Sequence, residues 1–225
     1  MTVVSENGHD ISGTTANRPT NAEPGMTYFD TDIGVLLACN EDGDWVDPSG
    51  QVTSDIGNGA AAGSGVSASE QAGRVHTTVL TLTASSITMT DAGAAGCHGG
   101  TKIYDFPVGN VMILGATTDL AITAGSGGIT DTASVVGAVG TVVTATDNAT
   151  LLSTEANIVP STVATLTGGV GACDGQSTAS VILDGTDTAA DAYLNFAVPD
   201  AGSTANDTLS VTGTVTLVWI NFGDN

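Results

Sequence analysis

Nucleophilic catalysis needs a base beside a nucleophile, and this chain offers three histidines and three cysteines for the purpose. Cys97 and His98 are the one adjacent pair. Neighbours in a chain rarely face each other, and catalytic triads are defined by geometry rather than adjacency. The pair therefore reads as a loop cysteine followed by a loop histidine. His9 lies in a polar amino-terminal stretch, and His76 falls on the polar parity of a strand pattern. Paired carboxylates could support glycosidase-like hydrolysis. Asp105 and Asp191, near Tyr104 and Tyr193, are the acids set among apolar strand residues. With 24 acidic residues in the chain, however, close pairs arise by chance. No catalytic signature emerges, and the expectation is a protein that is not an enzyme.

Hard cations want oxygen ligands, and three turns gather carboxylates. They are Asp30-Thr31-Asp32, Glu41-Asp42-Gly43-Asp44 and Asp184-Gly185-Thr186-Asp187. If Ca2+ is a cofactor, Asp30, Asp32, Asp42, Asp44, Asp184 and Asp187 are its candidate ligands. None of the turns matches the twelve-residue EF-hand loop, and Asp-Gly turns form without metal. Cys39, Cys97 and Cys173 are odd in number and widely spaced, which predicts neither a disulfide framework nor a zinc site. They read as small buried hydrophobes.

Charge narrows the classes further. Lys plus Arg is 3 against 24 Asp plus Glu, a formal net charge of −21. Nucleic-acid binding needs a basic patch to neutralise phosphate, and Arg18, Arg74 and Lys102 cannot supply one. The same charge opposes an anionic membrane and favours solubility. Met1–Asp10 has no basic start and no apolar run, so no signal peptide is expected. The longest apolar run, near Val111–Leu114, is far too short to span a bilayer. Synthesis and retention in a cytoplasm follow as the expectation.

The elements that must position these residues read as strands. In Thr208–Ile220, Leu209, Val211, Val215, Leu217 and Trp219 share one parity, while Ser210, Thr212, Thr214 and Thr216 share the other. That is one long strand with an apolar face and a hydroxyl face. At Val218 and Ile220 the hydroxyl parity turns apolar, which predicts cover on both faces there. Val111-Met112-Ile113-Leu114 is apolar on both parities and carries the same prediction. Strong helix formers are scarce, whereas Gly (30 residues), Thr and Ser abound, as β-structure with many turns requires. Eight to ten strands with no amphipathic helix predict an all-β fold, an antiparallel β-sandwich of jelly-roll-like kind. A closed barrel is the alternative.

Three segments follow. Residues 1–50 read as an extended arm and a small β-meander, with strands at Met26–Phe29, Val35–Cys39 and Asp44–Val46. Residues 51–73 read as a Gly/Ala/Ser-rich linker. Residues 74–225 read as the sandwich domain. Within it, Val75–Ala84 and Ile87–Thr90 are separate strands about a Ser-Ser turn. Asp91–Gly100 is a loop, and one helical turn capped by Ser153 or Thr154 lies before Pro160.

Gly25, Tyr28-Phe29-Asp30-Thr31, Gly34 and Gly43-Asp44-Trp45-Val46 form a compact cassette. It resembles the short β-meander of tailed-bacteriophage fibres and virion appendages. The order Ile103–Ile122, Leu151–Pro160, Tyr193–Val198 and the terminal Trp219 strand looks like jelly-roll virion proteins of tailed phages. The resemblance implies a structural virion protein, of capsid decoration or cement type. It would sit on the outer capsid surface, be made in the host cytoplasm, and have the major capsid protein or other virion subunits as partners. A homo-oligomer is expected. A head-fibre or tail-fibre adhesin binding host surface glycans is the alternative. Tyr28, Phe29, Trp45 and Val46 are the candidate partner-binding residues, since aromatic anchors serve interfaces. They serve cores equally well, and folding back onto the second domain is the other reading of the aromatics.

Overall fold

Two β-sheets carry the described chain, each over its own apolar core. The computed structural model describes residues 3–4, 10–46, 59–71, 75–125, 127–144 and 150–222. The first sheet contains β1 (Val3–Val4), β2 (Asp10–Gly13), β3 (Thr27–Asp30), β4 (Val35–Cys39) and β5 (Trp45–Val46), in that order. The expected three-strand meander is β3–β5. The arm, expected to be irregular, adds β1 and β2, with β2 running parallel to β3. Such short strands show too few alternations to be read from sequence. Gly13 is required where β2 passes β3, because a Cβ there would lie 2.7 Å from the Tyr28 hydroxyl.

The second sheet is built from long antiparallel ladders. Its strands are β6 (Ala60–Ala61), β7 (Val66–Gln71), β8 (His76–Asp91), β9 (Cys97–Asp105), β10 (Val111–Ala124) and β11 (Ser134–Gly140). Then come β12 (Val159–Thr165), β13 (Val170–Ala172), β14 (Gly175–Gln176), β15 (Val181–Leu183), β16 (Asp191–Val198) and β17 (Asp207–Asn221). The hydrogen-bonded path runs β12-β11-β16-β9-β8-β17-β10-β13, with β14 and β15 also on β10, β6 on β9 and β7 on β8. The sheet turns over at a narrow joint, where β8 and β9 share only the pairs Thr90–His98 and Asp91–Cys97. Layer one is then β7-β8-β17-β10 with its short edge strands, and layer two is β12-β11-β16-β9. Both layers bury side chains in one core, including Leu80, Ile113, Val215, Ile103, Val139 and Phe196. Trp219 of β17 meets Tyr104 of β9 edge-on at 6.3 Å, and Phe106 at 5.4 Å. The all-β expectation and the packed-sheet, sandwich-like arrangement hold.

Several local expectations are corrected. Of the stretch read as linker, residues 59–71 are described, and they include β6 and β7; residues 51–58 and 72–73 lie outside the described residues. Val66, Ala68 and Glu70 alternate with Ser67, Ser69 and Gln71, but such small side chains hide the strand period. The Ser-Ser turn is instead a bulge inside one continuous β8. The register slips by one between Val211 and Gly213, and Ala84 takes φ 49° to absorb the extra residue. The expected loop at Asp91–Gly100 already enters β9 at Cys97. Gly99 and Gly100 belong there because a Cβ would meet the Thr88 carbonyl at 2.2 Å and the Asn195 amide oxygen at 2.3 Å. The turn before Pro160 is a 3-10 turn, Ser153–Glu155, closed by the Glu155 carboxylate accepting from Leu152 N–H at 2.7 Å.

The outer surface of layer one also departs from expectation. Val111 and Ile113 are buried, but Met112 is half-buried and Leu114 exposed; Val218 and Ile220 are half-buried. Among the described residues these strands are covered on one face only. Strand register aligns Ser69, Val79, Thr216, Thr117 and Gln176 in a row across β7, β8, β17, β10 and β14. Further along, Ile220, Met112 and Ile182 form a second row across β17, β10 and β15.

Candidate docking face and polar clusters

In the small sheet, alternation puts Tyr28, Leu37, Cys39 and Trp45 on the inner side, where all four are buried. Tyr28 and Trp45 pack at 5.7 Å between ring centroids. Their polar ends are satisfied: the Tyr28 hydroxyl donates to the Thr14 carbonyl at 2.7 Å, and the Trp45 indole N–H donates to the Pro19 carbonyl at 3.1 Å. The structure thus places two of the candidate partner-binding aromatics in the meander's own core. Phe29 and Val46 lie on the other side. Phe29 is 43% exposed and stands directly opposite Leu36, which is 52% exposed. Val46 pairs with Ala38 on the same outward face. The outcome is an apolar patch of Phe29, Leu36, Ala38 and Val46 backed by a rigid aromatic pair. Leu36 and Ala38 are the members not evident from sequence; their opposition to Phe29 and Val46 depends on register.

The acidic turns serve the backbone. Asp30 is fully buried; its Oδ2 accepts from Arg18 Nε at 2.6 Å and from the Thr15 hydroxyl at 2.9 Å. Its Oδ1 accepts from the N–H groups of Asp32 and Ile33 at 2.9 and 3.3 Å. Burial opposes ionisation of Asp30, but these bonds outweigh it and hold the carboxyl below its ordinary range. Asp32 accepts from Thr15 N–H at 3.0 Å. The Glu41–Asp44 turn is closed by Asn40, whose Oδ1 accepts from Asp42 and Asp44 N–H, leaving both of those acids exposed. Asp184 accepts from the Thr186 hydroxyl at 2.7 Å, which lowers its pKa, while Asp187 is exposed. Among the described residues, no group of three or more His, Cys, Asp or Glu side chains could hold a metal ion.

The residues considered for catalysis separate. Cys97 points into the core and burial pushes its thiol up, away from a nucleophilic thiolate. His98, one residue on, takes the opposite strand face, with its Nδ1 buried and unpaired. Asp105 and Asp191 do meet, in register across β9 and β16, with Lys102 Nζ at 2.6 and 3.4 Å from their carboxylates. Tyr193 donates to Asp191 at 2.9 Å. The Lys102 hydrogen bond lowers the Asp105 pKa, whereas a general acid needs a raised one. The pair is an ion-bridged surface staple.

A third cluster was not foreseen. His76, read from sequence as lying on the polar parity, is only 1% exposed and faces the core. Its ring stacks on Trp219 at 4.0 Å, and its Nδ1 lies 2.7 Å from Glu70 Oε1. The other Glu70 oxygen accepts the Tyr104 hydroxyl. Tyr104 in turn accepts from Gly59 N–H at 3.0 Å and from the Thr78 hydroxyl at 3.4 Å, and Trp219 donates to Thr78 at 2.9 Å. Burial, then the Glu70 carboxylate, raises the tyrosine pKa strongly, so the phenol stays protonated. The network joins β7, β8, β9 and β17 without reaching a nucleophile. It is a buried tie between edge and core.

Among the described residues no helix is long and apolar enough to cross a membrane. No protein-family model matches the chain, and no curated protein matches its sequence.

Proposed function

We propose that this is a structural subunit of a tailed-bacteriophage particle, decorating and stabilising the outer capsid surface. The observation that carries the reading is the outward Phe29–Leu36 pair on a small sheet with its own core, at the head of a chain of net charge −21. The small sheet would dock on the major capsid protein or another shell subunit. The acidic body would face outward, because packaged DNA repels it. A bridging subunit that binds only the assembled shell stabilises it by mass action. The reading assigns no catalysis and no metal.

The body fits this role as a jelly roll, the fold shared by many capsid and lectin domains. The strand order supports that form. Taking β13–β15 as one edge, β8, β17, β10 and that edge make one layer, and β9, β16, β11 and β12 make the other. From β8 to β17, with β13–β15 counted as one, successive strands change layer except between β11 and β12. Fold alone does not fix function, and a lectin-like adhesin shares the architecture. The decoration reading is preferred because both tryptophans, Trp45 and Trp219, and Tyr28 and Tyr104 are buried, which leaves Phe29 and Phe222 as the exposed large aromatics among the described residues.

The test is to purify particles by density gradient, count copies of this chain, and heat particles made with and without it. Hundreds of copies, and genome release at lower temperature without the protein, support the role. Unchanged release rejects it, and a handful of copies points to a fibre.

A further inference from the structure

We propose that the outer face of layer one is a self-association surface whose occupant is the same face of a second copy. This goes beyond the virion reading and does not depend on it.

Three observations carry the inference. The first is charge. Across the outward positions of β7, β8, β17 and β10, Asp119 is the one charged side chain among the described residues. The molecule as a whole carries 24 acids. Two such chains repel wherever carboxylates approach within a Debye length, about 8 Å at physiological salt. A face of threonine, serine and aliphatic side chains with a single carboxylate, Asp119, meets far less of that repulsion than the rest of the surface.

The second is apolar pattern. Ile220, Met112 and Ile182 align across three strands, and Ile182 is 67% exposed. The sequence is apolar on both parities here, yet the described residues cover only one face. A second copy supplies the missing cover. The row is self-complementary, as an isologous two-fold contact requires.

The third is size. Five strands at about 4.8 Å spacing and the residues from Thr212 to Ile220 at roughly 3.4 Å each span a patch of the order of 700 Å2. Each partner in a stable complex gives about 800 Å2. The face is thus of dimer dimensions, and its hydroxyls can pair or hold bridging water.

The experiment is sedimentation velocity on the full chain from 1 to about 100 µM, at low and high salt, with Ile182→Asp and Thr81→Asp on this face and Val163→Asp on β12 as control. The expected result is a concentration-dependent multimer that tightens with salt as charge is screened. Each face variant raises the dissociation constant at least tenfold with an unchanged β-sheet circular dichroism spectrum, and Val163→Asp leaves it unaltered. A wild-type monomer throughout overturns the proposal. So does a multimer indifferent to Thr81→Asp, a surface change the fold tolerates. A monomer whose Ile182→Asp variant loses binding to the particle would assign the face to the shell instead, and would overturn self-association while leaving the virion role standing.

Discussion

Glu70 Oε1 lies 2.7 Å from His76 Nδ1, and the same carboxylate accepts the Tyr104 hydroxyl. One side chain on a short edge strand therefore satisfies two groups buried beneath it. Glu70→Ala leaves both unpaired and should destabilise the fold by roughly 2–5 kcal/mol. Glu70→Gln keeps one acceptor oxygen and should cost about half as much. Urea unfolding followed by Trp219 fluorescence measures both.

The two cores each hold one tryptophan, Trp45 and Trp219. A core of four buried side chains is small for independent stability. Trp219→Phe leaves Trp45 as reporter of the small sheet, and Trp45→Phe leaves Trp219 as reporter of the large one. The Trp45 transition should come at lower denaturant than the Trp219 transition. Coincident transitions would show that the two sheets unfold as one unit.

Asp30 provides an acid-sensitive joint. Pairing with Arg18, Thr15 and the turn amides lowers its folded-state pKa despite burial. Its contribution is therefore complete above the ordinary aspartate value of about 3.9. It is lost as pH falls below that value and through the lower folded one. The Trp45 signal should report melting of the small sheet in this acid window. Arg18→Ala strands a buried carboxylate, a change worth roughly 3–5 kcal/mol, and should melt the small sheet already at neutral pH.

Gly213 sits at φ 137° beside the bulge, and a Cβ there would lie 2.1 Å from the Asp119 carbonyl. Gly213→Ala should lower the unfolding free energy by more than about 1 kcal/mol, whereas Thr214→Ala, one residue on, should be nearly neutral. Thermal melts compare the two.

Much of this architecture is legible in the chain because long strands repeat their parity often. Thr208–Ile220 announces β17, and Val35–Cys39 is found at its observed bounds. What stays hidden depends on tertiary contact. Glu70 looks like part of a linker because its neighbours are Ser and Ala, and only the pairing of β7 with β8 turns it toward His76. Cys97–Gly100 looks like part of a loop because its glycines answer the close approach of Thr88 and Asn195, not a turn. Trp45 reads equally as anchor or core until the register places it beside Tyr28. Phe29 reads from sequence as a candidate for docking or core alike, and Leu36 opposite it needs the hairpin to be seen.

The attachment itself can be measured on particles stripped of this protein. Wild-type chain and a Phe29→Asp/Leu36→Asp variant are added back, and bound protein is quantified after sedimentation. Wild type should rebind, while the variant, with an unaltered Trp219 unfolding transition, should stay in the supernatant. Equal rebinding by the variant would contradict docking through the small sheet.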